Sequence, residues 1–444
     1  MSSNNQQDAY LDPPRVFRSK FKFLGPGLIL SASIVGSGEL IATTLLGAKG
    51  GFIALWVILV SCLVKVAIQV EFGKKAILSG QSLMAELKTF SKNQSRRGHW
   101  TIWAIGVLTF LKIIQLGGMI GGAAVALSLI FPTLPIGISL VILGATLPLF
   151  FIKNYYSLIE KTASIMVFGF TLFTIISFIA VFYTPFAFSW EQVGSGFLFQ
   201  LPKEILFVAI GAFGITGVAS DEIIAYFYWC QEKGYARYTG TNDGSQDWKY
   251  RAQGWISVMK LDAIVAMIIY TLVTSVFYLL GASILFGKES LPEGTDLILA
   301  LASIYTSSLG EGAKVVYLIG GFFALYSSVF ATLAYWTRLF PDIFLSLKAI
   351  EVTEVNTVVR ILAFLFPLAW IVMYWTVQLP GVLVLIGGLI GSILLLVTLY
   401  IGIQFRQKNL KLGFGYSIIS RLFFWISAGA ILGVSIYGII QVWN

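Results

Sequence analysis

The chain has 444 residues, 57% of them hydrophobic and 15% aromatic, with only 11% charged and a net charge of +9. This composition excludes a soluble globular protein and places the chain among polytopic membrane proteins. The basic balance does not point to nucleic acid, because the lysines and arginines lie in short loops between apolar runs, where a positive-inside bias accounts for them. Cys62 and Cys230 fall in or beside apolar runs, which excludes the disulfide framework of a small secreted domain.

Residues 1–24 are polar and then basic (Arg15, Arg18, Lys20, Lys22), without a short apolar core and cleavage site, so they read as a cytoplasmic tail. Runs long enough to cross a bilayer predict spans near 25–48, 52–72, 102–130, 135–153, 162–184, 203–230, 255–286, 314–337, 357–377, 380–404 and 418–440. With the N-terminus cytoplasmic, 23 of the 30 lysines and arginines fall on the inner side. That bias sets the orientation, leaves the C-terminus outside, and suits a plasma membrane or a bacterial inner membrane. The polar stretch from Glu232 to Gln253 reads as a flexible cytoplasmic connector, and Asp342 to Asn356 as an interfacial helix.

The first and sixth predicted spans carry one motif written twice, as V-G-S-G-E-L-I-A from Val35 to Ala42 and as V-A-S-D-E-I-I-A from Val218 to Ala225. A Gly/Ser/acid cluster inside an apolar run belongs where protein or a water-filled cavity surrounds it, so each copy predicts a broken membrane helix. The plainer alternative is a pair of similar helix caps, with Ser37 and Ser220 as caps and the acids in the first turn. Five spans separate the breaks, and that odd spacing predicts inverted topology. The expected fold is all-α with about eleven transmembrane helices, arranged as an inverted five-plus-five repeat with helices 1 and 6 broken. Its parts are a first repeat over 25–184, a second over 203–404, and an extra helix over 418–444.

A break at the midplane aims half-helix amides and carbonyls into a cavity, so the expected substrate or ion site is Gly36, Ser37, Gly38 and Glu39 with Ala219, Ser220, Asp221 and Glu222. Carboxylates facing a cavity favour a hard cation or carry protons, and Glu39, Asp221 and Glu222 are the ligands if a cation binds. Asp221 and Glu222 are adjacent on a helix, so only one of them is expected to face the cavity. Lys112, beside Gln115 and a glycine-rich run, is the candidate counter-charge or coupling group, the alternative being a lysine that snorkels to an interface. The single histidine, His99, lies in a loop, and neither motif contains methionine or histidine, so ligands that select soft metals are absent there.

The chain resembles the Nramp family of proton-coupled divalent-metal transporters, within the amino acid, polyamine and organocation superfamily. The resemblance lies in Gly25-Pro26-Gly27, in Ser79-Gly80-Gln81-Ser82-Leu83-Met84-Ala85-Glu86, in Gly211-Ala212, and in Ser327-Ser328 with Thr332-Leu333-Ala334. It departs where that family carries its functional signatures. The family's D-P-G-N appears as Gly36-Ser37-Gly38-Glu39, its M-P-H as Ala219-Ser220-Asp221, its acidic pair in span three as Gln115 and Gly118, and its later glutamine as Trp336.

The resemblance implies a secondary active transporter of a divalent cation working by alternating access, with proton coupling as in the family, and the loss of the family's soft ligands points to a hard, magnesium-like ion. The alternative is a small anion or zwitterion, such as bicarbonate, a carboxylate or an amino acid, held on half-helix amides as in the amino-acid permeases that the G-S-G also resembles. An ion channel would want a filter-like carbonyl run, and an enzyme a nucleophile with its base or an H-E-x-x-H set; the sequence has neither. No cofactor, nucleic acid or obligate protein partner is expected beyond the solute and the lipid bilayer.

Overall fold

The computed structural model describes residues 10–27, 36, 38–90, 98–152, 156–287, 294 and 296–443. Every regular element among them is helical, as the absence of water in a bilayer demands of backbone amides and carbonyls. In chain order they include α1 (Thr44–Gly50), α2 (Leu55–Ser79), α3 (Trp100–Leu111), α4 (Ile113–Ile130), α5 (Ile136–Ile152), α6 (Tyr156–Val181) and α7 (Leu206–Ile215). There follow α8 (Ser220–Glu232), α9 (Gln246–Ile284), α10 (Asp296–Leu309), α11 (Ala313–Ser346), α12 (Val355–Val377), α13 (Pro380–Lys411) and α14 (Ile418–Trp443).

Eight spans among the described residues are long and apolar enough to cross a membrane, and shorter apolar helices add to them. Their burial sorts them into layers. The span formed by α7 and α8 is 89% buried over its most apolar window, whereas those of α12 and α14 are only 28% buried. The former is the centre of the bundle, and the latter two turn most of their apolar surface outward, as lipid-facing helices do.

Close approach at the centre depends on missing side chains. A Cβ built on Gly214 of α7 would lie 1.8 Å from the carbonyl oxygen of Gly388 in α13, and one on Gly388 would lie 2.1 Å from that of Gly211. Small residues let helix backbones touch in this way where no hydrophobic force drives membrane helices together. Farther out, Trp336 of α11 meets Phe366 and Trp370 of α12 edge-on, with ring centroids 4.9 and 5.6 Å apart.

Several sequence expectations need correction. The stretch expected as a flexible connector contains the short helix Tyr235–Thr239 and the start of α9, whose N-cap Ser245 accepts from the Trp248 amide at 3.0 Å. The stretch expected as an interfacial helix is divided: 342–346 complete α11, and a single turn, Val352–Glu354, precedes α12. Span three is two helices, α3 and α4, meeting at Lys112. Helix α10 has no counterpart in the predicted spans; its 14 residues fall short of the roughly 20 that mark a crossing.

The N-terminal segment is strapped to the bundle. The Leu11 amide donates to the Tyr238 carbonyl at 3.1 Å, and Trp255 Nε1 donates to the Leu11 carbonyl at 2.8 Å. Tyr235 and Lys233 donate to the carbonyls of Phe23 and Leu24. Buried Asp262 of α9 accepts from the amides of Gly25 and Gly27 at 2.8 and 2.6 Å and from the Tyr226 hydroxyl at 3.0 Å. A carboxylate therefore supplies the acceptor that the amides opening the first span lack.

Candidate functional site at the two helix breaks

The sixth span ends its first half at Ile215 and starts its second at Ser220. Between them Thr216 is extended and Gly217 has φ +64°. A side chain is excluded at 217 twice over, by that left-handed backbone and by Cys62, whose Cα would lie 3.0 Å from an added Cβ. Both cut ends are satisfied by side chains of the same protein. At the carbonyl end, fully buried Lys65 of α2 donates from Nζ to the Phe213 carbonyl and, at 2.9 Å, to that of Thr216. Ser61, one turn earlier, aims its hydroxyl at the same two oxygens from 2.9 and 3.0 Å.

At the amide end Glu222 turns back on its own helix, and its Oε2 accepts from the Ala219 amide at 2.8 Å. Ser220 is not the cap, contrary to the plainer reading of the motif; its hydroxyl donates to the Gly391 carbonyl of α13 at 2.9 Å. Asp221 points elsewhere and forms an ion pair with Lys112, whose side chain is fully buried at the junction of α3 and α4. Asp221 and Glu222 thus diverge, as adjacent helix positions must. Lys112 does not snorkel to an interface. Gln115, one turn on, brings Nε2 to within 3.9 Å of the Met119 sulfur and leaves its buried Oε1 without a partner among the described residues.

In the first motif Gly38–Thr43 form one π-helical turn, a wide turn that recurs at functional sites. Thr43 and Thr44 return their hydroxyls to the carbonyls of Gly38 and Glu39, each at 3.1 Å. The Thr43 hydroxyl also lies 3.1 Å from that of Thr216, which ties this π turn to the sixth-span break. Glu39 is fully buried; its Oε1 accepts from Thr274 of α9 at 2.9 Å and from the Gly217 amide at 3.4 Å, while its Oε2 has no partner among the described residues. Gly36 abuts α11, where a Cβ would lie 1.8 Å from Ser328 Oγ, so a helix rather than a ligand makes the close approach there. Ser37 lies outside the described residues.

The three acids expected as cation ligands are therefore held by separate partners, and among the described residues no three His, Cys, Asp or Glu side chains converge as a metal site. Lys65, Thr274 and Asp262 are the participants that motif reading passes over. A signal for Lys65 exists, since it is a single charge inside the run from Leu55 to Val70, and a lone intramembrane charge is expensive enough to require a role.

The sequence matches the Nramp family, described as Natural resistance-associated macrophage protein-like, over residues 27–441. A divalent metal cation transporter MntH from Staphylococcus haemolyticus is 24% identical over 293 residues, covering 64% of this chain and 61% of that relative. A mutant of the Eremococcus coleocola manganese transporter superposes with a TM-score of 0.65 at 15% identity, over 98% of this chain and 97% of the other. Mhp1, a nucleobase-cation-symport-1 family transporter, follows with a TM-score of 0.55 at 13% identity, over 94% of this chain and 92% of its own. At such identities the structural likeness speaks to fold alone, and it agrees with an all-α inverted-repeat architecture broken in helices 1 and 6. With the family match covering nearly the whole sequence, this chain belongs to the Nramp family.

Proposed function

We propose that the chain is a secondary active transporter that moves a hard, magnesium-like divalent cation by alternating access around the two helix breaks, with protons as the coupling ion. The observation that carries this reading is Glu39, a buried carboxylate in the first motif with one oxygen that has no partner among the described residues. Burying that oxygen costs free energy unless something meets it, and a cation that keeps part of its water shell can do so. The names of the curated relatives support the cation class. The absence of methionine and histidine from both motifs supports a hard ion over a soft one.

In this reading Gly36 to Glu39 and Ala219 to Glu222 form the substrate region, and the Lys112–Asp221 pair with Gln115 supplies counter-charge and coupling. The repeats extend over 25–184 and 203–404, the N-terminus is cytoplasmic and the C-terminus external, in a plasma membrane or a bacterial inner membrane. The charge bias of the loops supports this orientation.

One observation favours a second reading, transport of a small anion or zwitterion. Two ammonium groups, Lys65 and Lys112, are buried near the breaks, and Lys112 would become an anion site whenever Asp221 swings away. Uptake into proteoliposomes separates the two, with magnesium, manganese, calcium, bicarbonate and a panel of amino acids as solutes. Saturable divalent uptake driven by a pH gradient and abolished in Glu39→Gln and Glu222→Gln is expected. Uptake of an anion or amino acid without any of a divalent ion would replace the first reading by the second, and flux that never saturates would point to a channel.

A further inference from the structure

Lys65 sits in surroundings that would suit a free cation. Its ammonium meets the carbonyl oxygens of Phe213 and Thr216, which end the first half of the broken sixth span. Carbonyls in the last turn of a helix lack intrahelical donors and carry the negative end of the helix dipole. The Ser61 hydroxyl oxygen lies within 3.0 Å of the same carbonyls, and the Phe213 ring centroid is 5.1 Å from Nζ. A second, independent feature points to a cation at this place. Fully buried Glu39 reaches the same unwound segment through the Gly217 amide, and its Oε2 has no partner among the described residues.

These groups are oxygen donors only: two carbonyls, a hydroxyl and a nearby carboxylate. Unwound carbonyls and half-helix C-terminal ends are the groups that broken-helix proteins use to hold small monovalent cations. Here the space beside them is filled by a side chain from a neighbouring helix, and an apolar residue there would leave the two carbonyls to share the single Ser61 hydroxyl hydrogen. We infer that Lys65 is a tethered cation, its ammonium replacing a soluble monovalent cation at the carbonyl end of the sixth-span break. The break is then held closed by a group that cannot diffuse away, and its integrity does not depend on sodium or potassium. This inference is independent of which solute is carried, and it is tested without any transport measurement.

The test is thermal unfolding of purified wild type, Lys65→Ala and Lys65→Met in choline buffer, with sodium, potassium or methylammonium titrated at constant ionic strength. Wild type is expected to melt at the same temperature in every salt. Lys65→Ala is expected to melt lower in choline and to recover saturably with one of the small cations. At a hundred times the dissociation constant, its folded-to-unfolded ratio should rise about a hundredfold. Lys65→Met, which refills the volume without charge, should stay insensitive.

If Lys65→Ala yields folded protein only when methylammonium or an alkali cation is present during extraction, the inference stands; if none of them recovers it, the inference falls. It is equally overturned by a Lys65→Ala protein that melts like wild type in choline, or by one that no cation restores. Saturable stabilisation of wild type as large as that of the variant would also overturn it, because the site would then be open in the presence of the lysine.

Discussion

Replacing Asp221 by asparagine leaves the Lys112 ammonium in a fully buried position and removes its ion-pair partner. Breaking a buried pair from one side typically costs about 3–5 kcal/mol, because the remaining charge has neither water nor a counter-ion. Lys112→Met should cost a comparable amount, since it strands Asp221, whose side chain is only 11% exposed. The double variant Lys112→Met with Asp221→Leu removes both charges, and an apolar pair of similar volume should recover most of the loss. An unfolding entropy of about 2.1 cal/mol/K per residue, taken over 444 residues, makes each kcal/mol worth about 1 °C in the melting midpoint. Each single variant should therefore melt about 3–5 °C lower, and the double should return to within about 2 °C of wild type. Melting curves of the four proteins in one detergent complete a double-mutant cycle. A double variant whose loss equals the sum of the two single losses would refute the reasoning, because the charges would then be stabilised by something other than each other.

Helix contact at the centre makes a sharper contrast. Gly214→Ala would force a methyl to within 1.8 Å of the Gly388 carbonyl oxygen, whereas an alanine at Gly169 meets nothing within 4 Å. Gly214→Ala should give little monodisperse protein by size-exclusion chromatography, and Gly169→Ala should match wild type; equal yields would refute close packing there. Outside the spans, His99 caps α3 by accepting from the Thr101 amide, and burial holds its imidazole below the ordinary histidine value. The neutral ring is thus favoured in the folded state, so its contribution is present above the unfolded pKa of about 6.5 and lost as pH falls through the lower folded value. His99→Asn keeps a capping acceptor without the titration. Its melting midpoint should fall less than that of wild type between pH 7 and 5, and parallel curves would remove His99 from the pH response.

The sequence reveals where the backbone must break, and less of what holds the breaks. The paired motifs are visible because Gly, Ser and acid residues stand out against apolar runs, and the span boundaries follow from the same contrast. The sixth-span break lies where the motif places it, between Ile215 and Ser220. Apart from Glu222, its supports are long-range contacts, and although Lys65 stands out as a lone charge its partners do not. Lys65 is 148 residues from Phe213, and Asp262 lies 237 residues from Gly25. Nothing in the spacing around either residue announces its partner. Helix α10 escapes notice for a different reason: it is short, and it follows a polar stretch that reads as a loop.

The carbonyl end of the sixth-span break is occupied by the protein's own side chains. Lys65 and Ser61 cap it, and Glu222 caps the Ala219 amide at the other end, so the carbonyls that could have held a cation are already engaged. Asp221 is neutralised by Lys112. What is left unbalanced among the described residues lies on the first span: one buried oxygen of Glu39 without a partner, beside a π turn whose carbonyls at Gly38 and Glu39 accept threonine hydroxyls. Threonine hydroxyls can rotate away from those carbonyls at little cost, while a buried lysine cannot leave its carbonyls without being stranded in an apolar medium. Under the transport reading, then, discrimination between solutes rests chiefly on the Glu39 side of the centre, with Ala219 to Glu222 completing the substrate region around a capped sixth-span break.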